Sequence, residues 1–455
     1  MRVSRLFFHA AAALIWRKLH RGSDLLLLIK GAKVTQIAAS VELVELPCPL
    51  TEAHFRRLNV YAPLVKEITI DQECWLSPHP KHYDNRVIRL DSILNWDVLT
   101  DYLSNRSLLP NLIEIEFRYK DHQACLHWLR ILLSHSVRGI FVNGGEWPPQ
   151  PVFTMLQLLE HRSPLIRNLF VRSQGFDATS SAEDADPDSL PRRRSEIISS
   201  FARLTCISSL RMGITCLYPE SLVILSELPQ LEELHAGVGD PPPLLYDVSL
   251  SPAAFPCLRK MVLEQVVCSS WLMDFWSVTP MFRNLKTLSI DMWPEWLTKP
   301  GVDNNWGDKF LLRLCSNSPK LVELYIEFGG GDDHIPRITL SPSVEEPLCQ
   351  LPLKTIEVAG ACFSSGCDFL SSAWPEVVEL SASAQSANFA DLVPFAQNLP
   401  QLKKLLLGLD WASRAIPDYS HNRIISPRHI AFTSLCMLPL RRIKRSSASY
   451  QKLAE

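Results

Sequence analysis

The sequence predicts an α/β solenoid, made by stacking one short strand and one helix many times over. Three observations lead there. First, Ser318–Phe328 (SPKLVELYIEF) follows a helix-like segment, DKFLLRLCSNSP, and sets Leu321, Leu324 and Ile326 in the spacing L-x-x-L-x-I. Second, that spacing returns along almost the whole chain. Third, a proline stands just ahead of many copies, which fits a helix stop because the residue before proline is biased away from helix.

The clearest further copies are LPNLIEIEF (Leu109–Phe117), SPLIRNLFV (Ser163–Val171), LPQLEELHA (Leu228–Ala236) and FPCLRKMVL (Phe255–Leu263). FRNLKTLSI (Phe282–Ile290), WPEVVELSA (Trp374–Ala382) and LPQLKKLLL (Leu399–Leu407) follow the same rule. Looser copies are VELVEL (Val41–Leu46), APLVKEITI (Ala62–Ile70), NRVIRL (Asn85–Leu90), SVRGIFV (Ser136–Val142), ISSLRM (Ile207–Met212), LPLKTIEV (Leu351–Val358) and LPLRRI (Leu438–Ile443). Most lie about 20–29 residues apart, the period of leucine-rich repeats. In L-x-x-L-x-I the last two apolar residues share one side of a short strand. One strand and one helix cannot bury that side alone, whereas parallel stacking gives a continuous core. Helical patterns such as Cys125–Ser136, with Leu126, Leu129 and Leu133 at helical spacing, suit the outer layer. The asparagine that ties the turn of the regular leucine-rich repeat is generally absent here. The chain therefore resembles the irregular leucine-rich-repeat solenoid, with short parallel strands on the concave face and helices outside.

Composition agrees. The 455 residues are 47% hydrophobic and 21% charged, enough for a large elongated core. With 46 basic against 48 acidic residues, nothing favours bulk nucleic-acid binding. Glycines number 17 and prolines 33, as expected if proline punctuates each unit. The 12 cysteines form no C-x-x-C, and most sit among apolar neighbours, where a reduced thiol behaves as a small hydrophobe. That usage indicates a reducing compartment, cytoplasmic and/or nuclear.

The N-terminus carries a second resemblance. VSRLFFHAAAALIWRKL (Val3–Leu19) is similar to the second half of an F-box, whose form is V-C-R-x-W/F, a small-residue helix, then L-W-R-x-L. Val3, Ser4, Arg5, Phe8, Leu14, Trp16 and Leu19 fall on those positions. Fungal F-box proteins commonly pair this ending with irregular leucine-rich repeats. The resemblance implies a substrate-recognition adaptor of an SCF-type ubiquitin ligase, with the F-box holding a Skp-type adaptor and its cullin while the repeats hold a protein target. It also implies that Val3, Phe8, Leu14, Trp16 and Leu19 contact the adaptor. The family's first half, L-P-x-E-I-L, is missing from the sequence: either the sequence begins at an internal methionine, or the docking function is lost and the alternative is a stand-alone repeat scaffold whose N-terminal helix caps the solenoid. A signal peptide is disfavoured by His9 and by the basic residues after Trp16, and the apolar run Leu6–Trp16 is too short to cross a bilayer.

Domain boundaries follow: residues 1–32 a partial F-box-like helical segment, 33–440 the repeats, and 441–455 a flexible tail. Residues 174–195 (QGFDATSSAEDADPDSLPRRRS) are polar and Ser/Asp-rich, and are expected to form a disordered insertion. Arg192–Arg194 within it is a basic patch or a self-neutralising loop.

Candidate chemistry is sparse. His79 and His82 share a polar loop but lack further ligands, and His122, Cys125 and His127 open an amphipathic helix. Gly329–Asp333 lacks the Lys-Ser/Thr of a phosphate loop, Cys362 and Cys367 have poor zinc spacing, and Asp240–Pro243 reads as a stiff loop. Trp271, Trp276, Trp293, Trp296 and Trp306 either fill the core or anchor a partner at the rim. No hydrolase, metalloprotease or dinucleotide motif appears, so the expectation is a non-enzyme with no cofactor, metal, nucleic acid or membrane partner. The x positions of the strands are expected on the concave face as partner-binding residues: Asp71, Glu116, Arg118, Arg172, Arg211, Glu264, Asp291, Glu327 and Glu357. Acids outnumber bases among them, which suits a partner with a basic patch.

Overall fold

The computed structural model describes residues 11–38, 41–71, 93–104, 106–118, 121–173, 189–238, 248–267, 269–292, 305–328, 338–409, 434–435 and 438–439. Most repeats open on a four-residue turn. The Leu112 N–H donates to the Leu109 carbonyl at 3.2 Å, Ile166 to Ser163 at 3.1 Å, Leu258 to Phe255 at 3.3 Å and Leu321 to Ser318 at 3.2 Å. Proline is the second residue of all four. There its ring presets φ and its missing N–H is not needed. The proline is thus a turn former, beyond the helix stop expected from sequence.

The turn delivers a buried anchor, and the next residue sets the register. Ile113 and Glu114 both donate to the Lys66 carbonyl, at 2.7 and 3.0 Å, and Arg138 and Gly139 both donate to Ile113, at 2.7 and 3.1 Å. Arg167 and Asn168 repeat this on Arg138, as do Val322 and Glu323 on Lys286 and Lys403 and Lys404 on Val378. One carbonyl accepting two consecutive N–H groups therefore aligns each strand with its neighbour. Side chains add to it locally: the Ser163 hydroxyl, fully buried, donates to the Ser134 carbonyl at 2.8 Å.

The chain forms two compact units, Met1–Thr215 with Leu228–Gln230, and Cys216–Glu227 with Leu231–Glu455. In the first, β1 (Lys18–Leu19), β4 (Glu67–Asp71), β6 (Glu114–Arg118), β7 (Gly139–Trp147), β8 (Asn168–Ser173) and β9 (Ser209–Met212) pair in that order, all parallel. Ile115, Phe117, Ile140, Leu169 and Val171 alternate along these strands and are buried. The helix His122–Leu132 buries Cys125, Leu126, Trp128 and Leu129, and the Asp121 carboxylate caps it by accepting from the Gln123 and Ala124 N–H groups. Helix Pro149–Arg162 follows the same logic with Val152, Met155, Leu156 and Leu159.

Three expectations are corrected in this unit. VELVEL is not a repeat strand: β2 (Lys33–Ala38) and β3 (Val41–Glu45) pair antiparallel, and β3 also pairs with β5 (Ile93–Leu94) in a separate small sheet. Residues 1–32 are not purely helical, because Lys18–Leu19 forms a strand beside Glu67–Ile68. The insertion at 174–195 is not loop throughout. A helix runs Ser189–Phe201 and takes in Arg192–Arg194, and its end buries Ile197, Ile198 and Phe201.

The second unit repeats the plan. β10 (Glu233–Gly237), β11 (Lys260–Val266), β12 (Thr287–Met292), β13 (Glu323–Phe328), β15 (Thr355–Ala359), β17 (Glu379–Ala387) and β18 (Lys404–Leu409) pair in parallel. β19 (Ser434–Leu435) and β20 (Leu438–Pro439) both lie along β18. β14 (Ile338–Leu340) and β16 (Ala361–Phe363) form a parallel pair of their own. The anchors Leu258 and Leu321 are fully buried, as is Leu112 in the first unit. Trp271, Trp276 and Trp306 are core residues rather than rim anchors. Trp276 stacks on Phe282 at 4.1 Å between ring centres and meets the edge of Phe310 at 5.3 Å.

His79, His82, Asn85–Leu90, Asp240–Pro243, Trp293, Trp296, Gly329–Asp333 and 441–455 lie outside the described residues.

Candidate interaction face

Because side chains alternate along a strand, burying one face exposes the other. In the first unit register places Thr69, Glu116, Phe141, Phe170 and Arg211 side by side across β4, β6, β7, β8 and β9. A second row runs Glu67, Glu114, Gly139, Asn168 and Ser209. Phe141 and Phe170 meet edge to face, with ring centres 4.8 Å apart, on this outward side. Glu116 is held in place: it accepts from the Thr69 hydroxyl at 3.2 Å, from Arg118 Nε at 2.9 Å and from the Asn143 amide at 3.2 Å. Beside it lies a pocket of about 230 Å³ bounded by Lys18, Glu67, Glu114, Glu116, Phe141 and Asn143.

In the second unit one row reads Glu233, Lys260, Thr287, Glu323, Thr355, Glu379 and Lys404. Lys260 sits 3.8 Å from Glu233, and Lys404 3.7 Å from Glu379. The next row carries His235, Val262, Ser289, Tyr325, Glu357, Ser381 and Leu406. Beyond it Asp291 lies opposite Glu327, with Glu264 near an irregularity in β11. Burial, then the charge of Glu327, pushes the Asp291 carboxyl up to about 6; the Gln265 N–H opposes this and Glu264 adds to it. Burial first, then Glu323, also raises the Tyr325 phenol.

The expected face residues therefore fall as follows. Glu116, Arg211, Glu264, Asp291 and Glu327 are half-buried on outward strand positions, while Arg118, Arg172 and Glu357 are exposed. Asp71 ends β4 opposite Arg118. Glu116, Arg118 and Arg211 belong to the first unit, and Glu264, Asp291, Glu327 and Glu357 to the second, so they form two sets. Phe141, Phe170 and Tyr325 were not singled out from sequence. The signal was available, since each occupies an x position in a repeat strand.

At the N-terminus Val3 and Phe8 lie outside the described residues. Leu14 is 76% exposed and Ile15 71%. Trp16 stacks on Tyr61 at 4.4 Å. Leu19 lies in β1 opposite Ile68, with its side chain buried. His122 lies against Trp147, and burial pushes the Cys125 thiol up and His127 down. Among the described residues no group of three His, Cys, Asp or Glu side chains is arranged to hold a metal ion, and no described helix is long and apolar enough to cross a membrane. Cys362 and Cys367 are half-buried, and burial followed by Asp391 raises the Cys367 thiol to about 12.

Parallel strands in register, prolyl turns and helices burying one face define a mixed α/β repeat architecture built on parallel sheet. No protein-family model matches the chain, and no curated protein matches it. Among solved structures, the crystal structure of a TLR13–ssRNA13 complex is similar to 76% of this chain at 13% identity, with a TM-score of 0.35. The match takes in 43% of that other chain.

Proposed function

We propose that this protein is an interaction scaffold that holds a protein partner against the outward face of its repeat strands. The observation that carries this reading is the row Thr69–Glu116–Phe141–Phe170–Arg211, where large side chains stand in fixed register on the sheet side away from the core. Paired half-buried aromatics beside held charges are the side chains that dominate protein contacts. The scaffold performs no chemistry itself and needs no cofactor. It works in the cytoplasm or nucleus, where its free thiols stay reduced. Partner capture by the intact chain, compared with a Phe141→Ala/Phe170→Ala variant and with a helix-surface variant at Gln157, tests it. Partners lost only with the aromatic pair support the reading; partners retained by that variant refute it.

A narrower reading is the substrate adaptor of an SCF-type ubiquitin ligase. Exposed Leu14 and Ile15, on the segment that resembles an F-box, favour it. Binding of a purified Skp-type adaptor to the intact chain, abolished by Leu14→Asp, is the expected result. No binding by the unchanged chain leaves the stand-alone scaffold. Trp16 and Leu19 are poor probes, because one stacks on Tyr61 and the other is in the sheet core.

A further inference from the structure

We propose that the pocket on the outward face of β4, β6 and β7 is an arginine socket, taking one guanidinium from the protein partner. This rests on the outward-face reading above and names its ligand chemistry. The pocket is about 230 Å³, below the roughly 300 Å³ at which small-molecule sites begin, so it suits a single side chain. Its lining carries the carboxylates of Glu67, Glu114 and Glu116 against the one ammonium of Lys18.

The three acids are not equivalent. Glu67 has Lys18 at 3.5 Å, and Glu116 is occupied by Thr69, Arg118 and Asn143. Glu114 is half-buried, yet its carboxylate has no hydrogen bond or ion pair among the described residues. A carboxylate partly withdrawn from water gains from a cation brought to it, and a guanidinium can engage both oxygens at once.

Phe141 and Glu114 share a wall of the pocket. A Cβ at Gly139 would lie 2.9 Å from the Phe141 ring and 3.3 Å from Glu114 Cγ, so the missing side chain lets the ring and the Glu114 stem pack close together there. A planar cation lying against the ring while bonding Glu114 satisfies both groups, a geometry that arginine meets and lysine meets only in charge. Arg118 Nε on Glu116 at 2.9 Å shows that this acidic group accepts a guanidinium in the chain's own packing.

The test uses the full chain and three blocked tripeptides, Gly-Arg-Gly, Gly-Lys-Gly and Gly-citrulline-Gly, titrated by ligand-observed NMR. The arginine peptide is expected to bind at least tenfold more tightly than the citrulline one, and more tightly than the lysine one. Glu114→Gln should weaken arginine binding about tenfold. Lys18→Ala, which removes the competing cation, should tighten it two- to threefold, a gain that misfolding cannot imitate. Equal binding of arginine and citrulline peptides, no binding at millimolar peptide, or indifference to both substitutions overturns the socket. The wider face reading then stands or falls on the Phe141/Phe170 capture experiment alone.

Discussion

Two serines occupy the same place in the repeat, just ahead of the turn proline, and should respond oppositely to removal of their hydroxyls. Ser163 and Ser318 are both fully buried. The Ser163 hydroxyl donates to the Ser134 carbonyl at 2.8 Å, whereas the Ser318 hydroxyl has no hydrogen-bond partner among the described residues. A net hydrogen bond contributes about 0.5–1.5 kcal/mol, and an orphaned buried acceptor costs more. The Ser134 carbonyl keeps a second donor, the Val137 N–H at 3.1 Å, so Ser163→Ala should cost only about 1 kcal/mol. Burying a hydroxyl without a partner costs roughly 1–3 kcal/mol on mutational scales, so Ser318→Ala relieves a penalty. After the small loss of oxygen contacts, a gain of about 0.5–1 kcal/mol is expected. The backbone bonds of Ser318, to Leu314 at 2.8 Å and from Leu321 at 3.2 Å, are untouched by the change. Urea unfolding followed by circular dichroism, with the slope unchanged, gives both values from the midpoints. If Ser318→Ala destabilises as much as Ser163→Ala, the reasoning from partner satisfaction is wrong.

Asp291→Asn should raise stability at pH 7.5 and leave it nearly unchanged at pH 3.5. The folded carboxyl is held up to about 6 by burial and by Glu327, so its stabilising contribution is full below the unfolded value and is lost as pH rises through 6. Thermal melts of both chains across that window, converging at the acid end, are the check. Trp276→Ala removes a stacked, fully buried ring and should cost about 3–5 kcal/mol, while Leu14→Ala on the exposed N-terminal helix should fall within about 0.5 kcal/mol of zero. Gly213→Ala would set a Cβ 2.2 Å from the Ser173 carbonyl oxygen, so a loss of about 1–3 kcal/mol is expected in the same unfolding assay.

The repeat was legible in sequence wherever proline, turn and alternation agreed. Leu112, Leu258 and Leu321 are anchors because L-P-x-L, F-P-x-L and S-P-x-L each encode a turn and then a buried residue. VELVEL misled because alternation reports a strand and says nothing of its neighbour's direction; here β2 pairs antiparallel with β3. The helix Ser189–Phe201 was hidden by its polar first half, although Ile197, Ile198 and Phe201 carry a helical spacing. On the outward strand positions, the sequence reading named charged residues and passed over the aromatic ones. Phe141 and Phe170 look like core residues until register assigns them outward, and the pocket beside Glu114 exists only once β1, β4, β6 and β7 are aligned.

The carbonyl that serves two neighbouring amides ties alignment to atoms every amino acid possesses. Outward residues can consequently be exchanged one by one without loosening the stack. The chain resembles a printing frame whose type is interchangeable: letters at Glu114, Phe141 or Tyr325 can be altered while the main-chain frame itself stays locked.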